Sequence, residues 1–191
     1  MKPSHLLIAG VVSGALLLRA SAASSHEASR TAFAESHEAG DVRMTLRGTS
    51  LLRVGMIFNV YVAGLFVAES EDTRRVLDDV PKRLEIAYLR RVRARDIVST
   101  GHDILRRHLA AGEFARLEPR IAEIGRAYAD VKQGDRYALT YVPGRGSTLS
   151  LNGRDLVTIP GADFASAYFG IWLDARTEYP DLRTGLLGRA P

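Results

Sequence analysis

The sequence has 191 residues, no cysteine, and 26 Lys and Arg residues against 22 Asp and Glu residues, a formal net charge of +4. Its length suits one domain with a proper core. The basic residues are interspersed with acidic ones and form no solid block, so nucleic acid is not an expected partner. The lack of cysteine excludes a disulfide framework and a thiolate site.

The N-terminus has the three parts of a secretory signal: Lys2, the apolar run "LLIAGVVSGALLL", and the small residues Ala20-Ser21-Ala22. We predict cleavage after Ala22 and a periplasmic or secreted protein; an uncleaved membrane anchor is the alternative. The residues that follow are small, polar and aperiodic, as in a mobile leader. The predicted organisation is a signal peptide (1–22), a leader (23–40) and one domain (41–191).

Strand patterns open the domain. "VRMTLRGTSLLR" and "MIFNVYVAGLFVAE" predict two strands joined through Val54-Gly55, and "RLEIAYLR" predicts a third by its alternation. Between the second and the third, "SEDTRRVLDDVP" predicts a short helical turn that stops before its proline.

The middle of the chain is predicted to be helical. "ARDIVSTGHDILRRHLA" places its apolar residues on one face, and a second helix is expected to start near Pro119, a residue suited to a first turn. Strands then return as the hairpin "DRYALTYV", "PGRG" and "STLSLN". Asn152-Gly153 is a type I′ turn signal before a further strand, "RDLVTI".

An amphipathic helix follows Gly161, with Asp163 predicted as its cap, and "DLRTGLLG" predicts a last helical turn. Strands therefore come before and after a helical middle. This order predicts an α+β domain in which helices cover one face of an antiparallel sheet.

Several patterns that could carry chemistry are better explained by structure. The glycines of "GRGST" join two strands and suit a hairpin turn more than a phosphate loop. His102 and His108 lie six positions apart, which does not align two metal ligands on a helix. Ser99, His102 and Asp103 fall on the predicted solvent face, so no nucleophilic triad is expected. We predict neither a metal nor another cofactor.

Polar residues at the edge of the second strand are less easily explained. Arg53 precedes an almost wholly apolar stretch, and Asn59 and Tyr61 lie inside it. A desolvated guanidinium without a partner is costly, so Arg53 needs an anion or solvent. The alternatives are a ligand head group, exposure on a turn, or an ion pair with Asp41 or Glu69.

The ordered motifs of the chain resemble the chalcone isomerase-like family, particularly its bacterial secreted branch. Downstream, "VKQGDRYALTYVPGRGSTLSLNG" and "DFASAYFGIWLDARTEYPDLRTGLLG" resemble the family's hairpins and closing helix, so that the similarity extends from Met44 to Gly188. In the opening hairpin, the matching residues are Leu46, Gly48, Arg53, Val60, Tyr61, Ala63, Gly64, Leu65 and Phe66.

The resemblance implies an open-faced β-sandwich, a large antiparallel sheet packed by helices with a ligand cleft between them. It also implies that Arg53 reaches into the cleft. The family's enzymes use this arginine to stabilise the negative charge of a flavonoid, and its fatty-acid-binding members use it to hold a carboxylate.

Other positions depart from the enzymes. Their strand threonine aligns with Tyr61, their helix tyrosine and asparagine fall at about Ile97 and Ile104, and their closing Ser/Thr falls near Ala165 or Ser166. The family's Trp-Leu-Gly also reads Trp172-Leu173-Asp174. These departures argue against flavanone formation.

The resemblance therefore predicts a secreted or periplasmic protein that binds a small amphipathic anion, fatty-acid-like or aromatic, in an apolar cleft without turning it over. The predicted ligand-binding residues are Arg53, Asn59, Tyr61 and Ser166. The first alternative is an intramolecular lyase or isomerase in which Arg53 acts electrostatically. A haem-binding module is a distant third, because no histidine lies in a matching motif.

Overall fold

Seven segments of the chain pair into one antiparallel sheet, and four helices pack on it. The computed structural model describes residues 33–55 and 58–188. The predicted signal peptide, the first part of the leader and Met56 lie outside the described residues. The strands are β1 (Ser36–Ala39), β2 (Val42–Val54), β3 (Phe58–Ala68), β4 (Lys82–Tyr88), β5 (Arg136–Val142), β6 (Gly146–Leu151) and β7 (Arg154–Ile159). The helices are α1 (Ala94–His108), α2 (Ala111–Ala127), α3 (Ala162–Leu173) and α4 (Pro180–Leu186), and a 3-10 turn covers Thr73–Arg75.

The strands lie in the sheet in their order along the chain, and every neighbouring pair is antiparallel. The register of β2 on β3 shifts twice, between Leu46 and Gly48 and between Leu52 and Arg53. Such irregularities increase the local twist of a sheet. The result is a curled, half-barrel sheet with helices on one face, which confirms the predicted α+β class.

The two faces of the sheet bury cores of different size. The main core lies between the sheet and the helices, where strand residues such as Leu65, Leu84 and Leu139 meet helix residues such as Leu117 and Phe164. The opposite face carries a small cluster of Phe33, Met44, Val62, Phe66 and Ala87. Because β3 is buried on both faces, its sequence is apolar almost throughout.

The sheet begins earlier in the chain than predicted. Ser36–Ala39, assigned to the leader from the sequence, forms β1 and pairs with residues 42–45 of β2, and Phe33 is buried just before it. These four residues lack the apolar alternation that marks a strand, so pairing with β2 decides their conformation. The domain therefore includes residues before 41.

Helix α2 begins at Ala111, and the prediction that it starts near Pro119 is wrong. Pro119 lies inside the helix on an exposed position. Its ring removes one backbone hydrogen bond. The buried side chains of Leu117, Ile121 and Ile124, which all face the main core, hold the helix on both sides of the proline.

The cap of α3 also differs from the prediction. Gly161, with a φ of 104°, occupies the N-cap position, and Asp163 lies in the first turn. The Asp163 carboxylate accepts two hydrogen bonds from Arg120, of 2.8 and 2.6 Å. These bonds lower the pKa of Asp163 to about 2. Asp163 is thus not the N-cap residue, but its carboxylate ties α3 to α2 and also accepts a hydrogen bond of 2.8 Å from the Phe164 nitrogen in the first turn of α3.

One loop was predicted as a turn, and a second makes a close contact that was not predicted. Asn152 and Gly153 both have positive φ angles, 51° and 81°, as a type I′ turn requires. The second loop follows α4 and ends in Gly188, which has a φ of 70°. Here the chain passes so close to β2 that a Cβ atom on Gly48 would lie 2.7 Å from the Gly188 nitrogen. The Leu-Leu-Gly motif therefore fastens the end of the chain to β2.

A groove at the open end of the β2–β3 hairpin

A groove opens where the hairpin of β2 and β3 passes the segment between β4 and α1. It has a volume of about 590 Å³ and is open to solvent. Apolar side chains from both segments line it together with charged ones. The lining residues are Val54, Phe58, Val60, Arg90, Arg91, Val92, Arg93 and Asp96.

The irregular register at the end of the hairpin shapes the groove. Leu52 pairs with Tyr61 and Arg53 pairs with Asn59, so Val60 is left without a pairing partner on β2. The Val60 carbonyl instead accepts a hydrogen bond of 2.9 Å from the Leu89 nitrogen, just past the end of β4. Val60 and Val92 also pack against the main core. The groove is therefore a place where the main core reaches solvent.

Positive charge dominates the walls of the groove. Arg91 lies 3.4 Å from Asp130, and the Arg90 guanidinium lies 5.2 Å from the centre of the Phe58 ring. Arg90 and Arg93 form no ion pair with any residue of 33–55 or 58–188. Three arginines against one aspartate in the lining leave an excess of positive charge, and this charge beside apolar walls suits an amphipathic anion.

The structure brings Arg53 and Asn59 together beside this groove. Both side chains are exposed, and the Nε atom of Arg53 donates a hydrogen bond of 3.0 Å to Asn59 Oδ1. Neither residue lines the groove, but the next pair of the hairpin, Val54 and Phe58, does. In the described part of the chain, Arg53 forms no ion pair with Asp41 or Glu69. Its terminal nitrogens are therefore available to a carboxylate.

Tyr61 lies on the inner face of β3, one residue beyond the groove, and it is buried. The indole Nε1 of Trp172 donates a hydrogen bond of 3.0 Å to its hydroxyl oxygen. The Tyr88 ring meets the Tyr61 ring edge-on at 5.8 Å. Burial raises the pKa of Tyr61 above its ordinary value, so Tyr61 is a neutral phenol that can donate a hydrogen bond but does not act as a general acid or base near neutral pH.

Tyr61 belongs to a larger group of buried and half-buried aromatic side chains, which we call the tyrosine cluster. The hydroxyls of Tyr168 and Tyr128 lie 3.1 Å apart, and edge-on ring contacts join the other members. Burial raises the pKa of each tyrosine of the cluster, that of Tyr168 to about 12. Its members are Tyr61, Tyr88, Tyr128, Tyr137, Tyr168 and Trp172.

Ser166, the fourth predicted site residue, is half-buried on α3, six positions before Trp172. Six residues of helix span about 9 Å along its axis. Ser166 therefore lies about 9 Å nearer the start of α3 than Trp172, whose indole contacts Tyr61. The structure thus unites Arg53 with Asn59 and Tyr61 with Trp172, while Ser166 joins neither pair.

The sequence analysis missed the arginines of the groove. "RRVRAR", residues 90–95, begins at the last residue of a predicted strand, and four arginines in six positions at the end of a strand indicate a cationic rim. Arg90 was instead assigned to the strand and Arg95 to the helix that follows, and residues 91–93 between them were given no role. As for metal ligands, the described ranges contain no cluster of His, Asp and Glu that could hold an ion.

Comparison with known proteins agrees with the architecture. The curated proteins contain no match to this sequence. The structure resembles the crystal structure of a fatty-acid binding protein from Arabidopsis thaliana, with a TM-score of 0.63 and 11% identity over 82% of this chain and 91% of that one. A family model described as chalcone isomerase-like matches residues 25–188. Because this match extends over most of the sequence, the chain belongs to the chalcone isomerase-like family.

Proposed function

We propose that the protein binds a small amphipathic anion, fatty-acid-like or aromatic, and does not turn it over. The observation that carries this proposal is the groove at the end of the β2–β3 hairpin. It offers apolar walls of Val54, Phe58 and Val60 next to three guanidinium groups, of which only that of Arg91 forms an ion pair in the described residues. The structural similarity to a plant fatty-acid binding protein supports the same class of ligand.

Two features favour binding over catalysis. Ile97 and Ile104, which stand where the family's enzymes have a tyrosine and an asparagine, are apolar and pack in the main core. Neither can orient a polar substrate, and misplaced orienting groups forfeit much of the advantage of proximity. The Tyr61 hydroxyl, which stands at the enzymes' threonine, is engaged by Trp172.

We expect Arg53→Ala to weaken binding of a long-chain fatty acid on the order of 10- to 100-fold, because a charge-assisted hydrogen bond is worth about 1.5–3 kcal/mol. Arg53→Lys should recover only part of the affinity, since an ammonium cannot make a planar bidentate contact with a carboxylate. Calorimetric titration with the fatty acid, and with the alcohol of the same chain length, measures both effects. Neither substitution should change the affinity for the alcohol appreciably.

The matched control for this experiment is Arg43→Ala, which removes an exposed arginine from the opposite end of the same strand. It should bind the fatty acid as the wild type does. Equal affinity of Arg53→Ala and wild type would show that Arg53 does not hold the head group. The affinity of Arg93→Ala, a variant in the groove itself, then shows whether the arginines of the groove hold the head group.

Export is a separate part of the proposal and rests on the N-terminal sequence alone. We expect protein exported from a bacterial host to begin at Ala23, because Ala20-Ser21-Ala22 fits the small-residue rule for signal cleavage. N-terminal sequencing of the exported protein measures this. A chain that keeps Met1 and sediments with membranes would support the anchor instead.

A further inference from the structure

Exposed apolar side chains concentrate at one end of the molecule. Of the four large hydrophobic residues that are exposed in the described ranges, three lie around the groove: Val54 at 51%, Phe58 at 50% and Leu89 at 38%. Val54 and Phe58 are paired at the end of the hairpin, and Leu89 is hydrogen-bonded to Val60 on the neighbouring strand. The fourth, Leu156, lies on β7 at the far edge of the sheet.

Arginines surround these apolar side chains. Arg90, Arg91, Arg93 and Arg95 follow Leu89 within six positions, and all four are exposed. Only two form ion pairs in the part of the chain that the structure describes: Arg91 with Asp130 at 3.4 Å, and Arg95 with Asp96 at 3.5 Å. The exposed apolar patch is therefore surrounded by more positive than negative charge.

We propose that this end of the molecule docks on an anionic lipid surface. We call it the docking face and define it by Val54, Phe58, Leu89, Arg90, Arg91, Arg93 and Arg95. The apolar side chains enter the boundary between head groups and acyl chains, while the arginines contact the anionic head groups. Phe58 suits the boundary between head groups and acyl chains, because the Arg90 guanidinium lies against its ring. A charged group and an apolar group are therefore side by side on this face.

Charge complementarity favours a lipid surface over a second copy of the chain. A two-fold symmetric dimer brings the same patch of each subunit together. A dimer formed through this face would place Arg90 and Arg93 of one copy against the same two arginines of the other copy. An anionic bilayer supplies negative charge across the whole face and an apolar interior beneath it. The inference does not depend on the ligand-binding function, since it requires no occupant of the groove.

The test is co-sedimentation with ligand-free vesicles of phosphatidylcholine alone and of an equal mixture of phosphatidylcholine and phosphatidylglycerol. The wild type should bind the mixed vesicles and bind the neutral ones far more weakly. The double variant Arg90→Gln/Arg93→Gln should lose about 30-fold in affinity for the mixed vesicles, at about 1 kcal/mol per arginine near an anionic surface. Phe58→Ser should lose on the order of 10-fold, and Phe58→Trp should bind at least as well as the wild type.

Two control variants remove the same chemistry elsewhere: Arg43→Gln/Arg116→Gln for charge and Leu156→Ser for apolar exposure. Both should bind as the wild type does. All proteins carry the same N-terminus, so that any contribution of residues 1–32 cancels between variants. Equal binding to both vesicle types, no binding, or an equal loss in the controls overturns the proposal. So does a dimer in sedimentation velocity that Phe58→Ser dissociates, because a second copy would then cover the face.

Discussion

Gly48→Ala is expected to destabilise the domain by about 3 kcal/mol, at the upper end of what overpacking costs. A Cβ atom at this position would lie 2.1 Å from the carbonyl oxygen of Gly185 and 2.8 Å from that of Leu186. Both belong to the end of α4. Because these are backbone atoms, no change of rotamer can relieve the clash, and α4 must move away from β2.

Chemical denaturation of Gly48→Ala and wild type measures this difference as a lower midpoint, accompanied by a melting temperature that is lower by roughly 10 °C. The matched control is Gly112→Ala in the first turn of α2. A Cβ there meets no atom within 4 Å. It should leave the stability unchanged or raise it by up to about 1 kcal/mol, because alanine is the better helix former. A Gly48→Ala protein as stable as wild type would mean that α4 does not lie against β2 in this way.

The role of Gly48 shows which parts of the structure the sequence can predict. Alternation within a segment is a local signal, and it located β4 from Leu84, Ile86 and Tyr88. The contact of Gly48 with Gly185 joins residues far apart in the chain. The only sign of such a contact in the sequence is a glycine, and a glycine is equally compatible with a turn or a bulge. The family resemblance flagged both glycine motifs, but only the structure shows that they touch.

The same distinction applies to the groove. The pairing of Arg53 with Asn59 belongs to the hairpin of β2 and β3, whose two strands the sequence predicts to be joined through Val54-Gly55. The groove depends instead on the unpaired Val60 and on where the chain goes after Tyr88. Neither has a local sequence signal. The predicted start of α2 failed for a related reason: Pro119 is a local signal, and the burial of Leu117 and Ile121 in the main core outweighed it.

Lys82 is a second position where long-range packing decides the chemistry. It opens β4 on the inner face of the sheet and is 0% exposed. Its Nζ atom donates hydrogen bonds to the carbonyls of Asp78, at 2.7 Å, and Val80, at 3.2 Å, and lies 4.8 Å from the centre of the Tyr141 ring. Burial lowers the pKa of Lys82 from 10.5 to about 8, although the nearby Asp79 and Asp78 oppose the shift.

The lowered pKa gives the domain a specific dependence on pH. Between about pH 8 and 10.5, the unfolded chain keeps the Lys82 proton while the folded chain has lost it. Because the unfolded state then binds more protons, the contribution of Lys82 to stability rises with pH in this window. The buried tyrosines act in the opposite direction only near and above their ordinary pKa of about 10, where the unfolded chain loses phenol protons.

We therefore expect the free energy of unfolding of the wild type, relative to that of Lys82→Met, to rise by about 2 kcal/mol between about pH 7.5 and 9.5. Methionine has a similar length and no charge, so the variant keeps every other titrating group and loses only this one. Urea denaturation at several pH values in that window measures the difference. Lys132→Met, at an exposed lysine, is the matched control and should follow the wild-type profile. Parallel profiles of wild type and Lys82→Met would show that the Lys82 ammonium is solvated in the folded protein, and would place it outside the aromatic pocket of Tyr141 and Phe169.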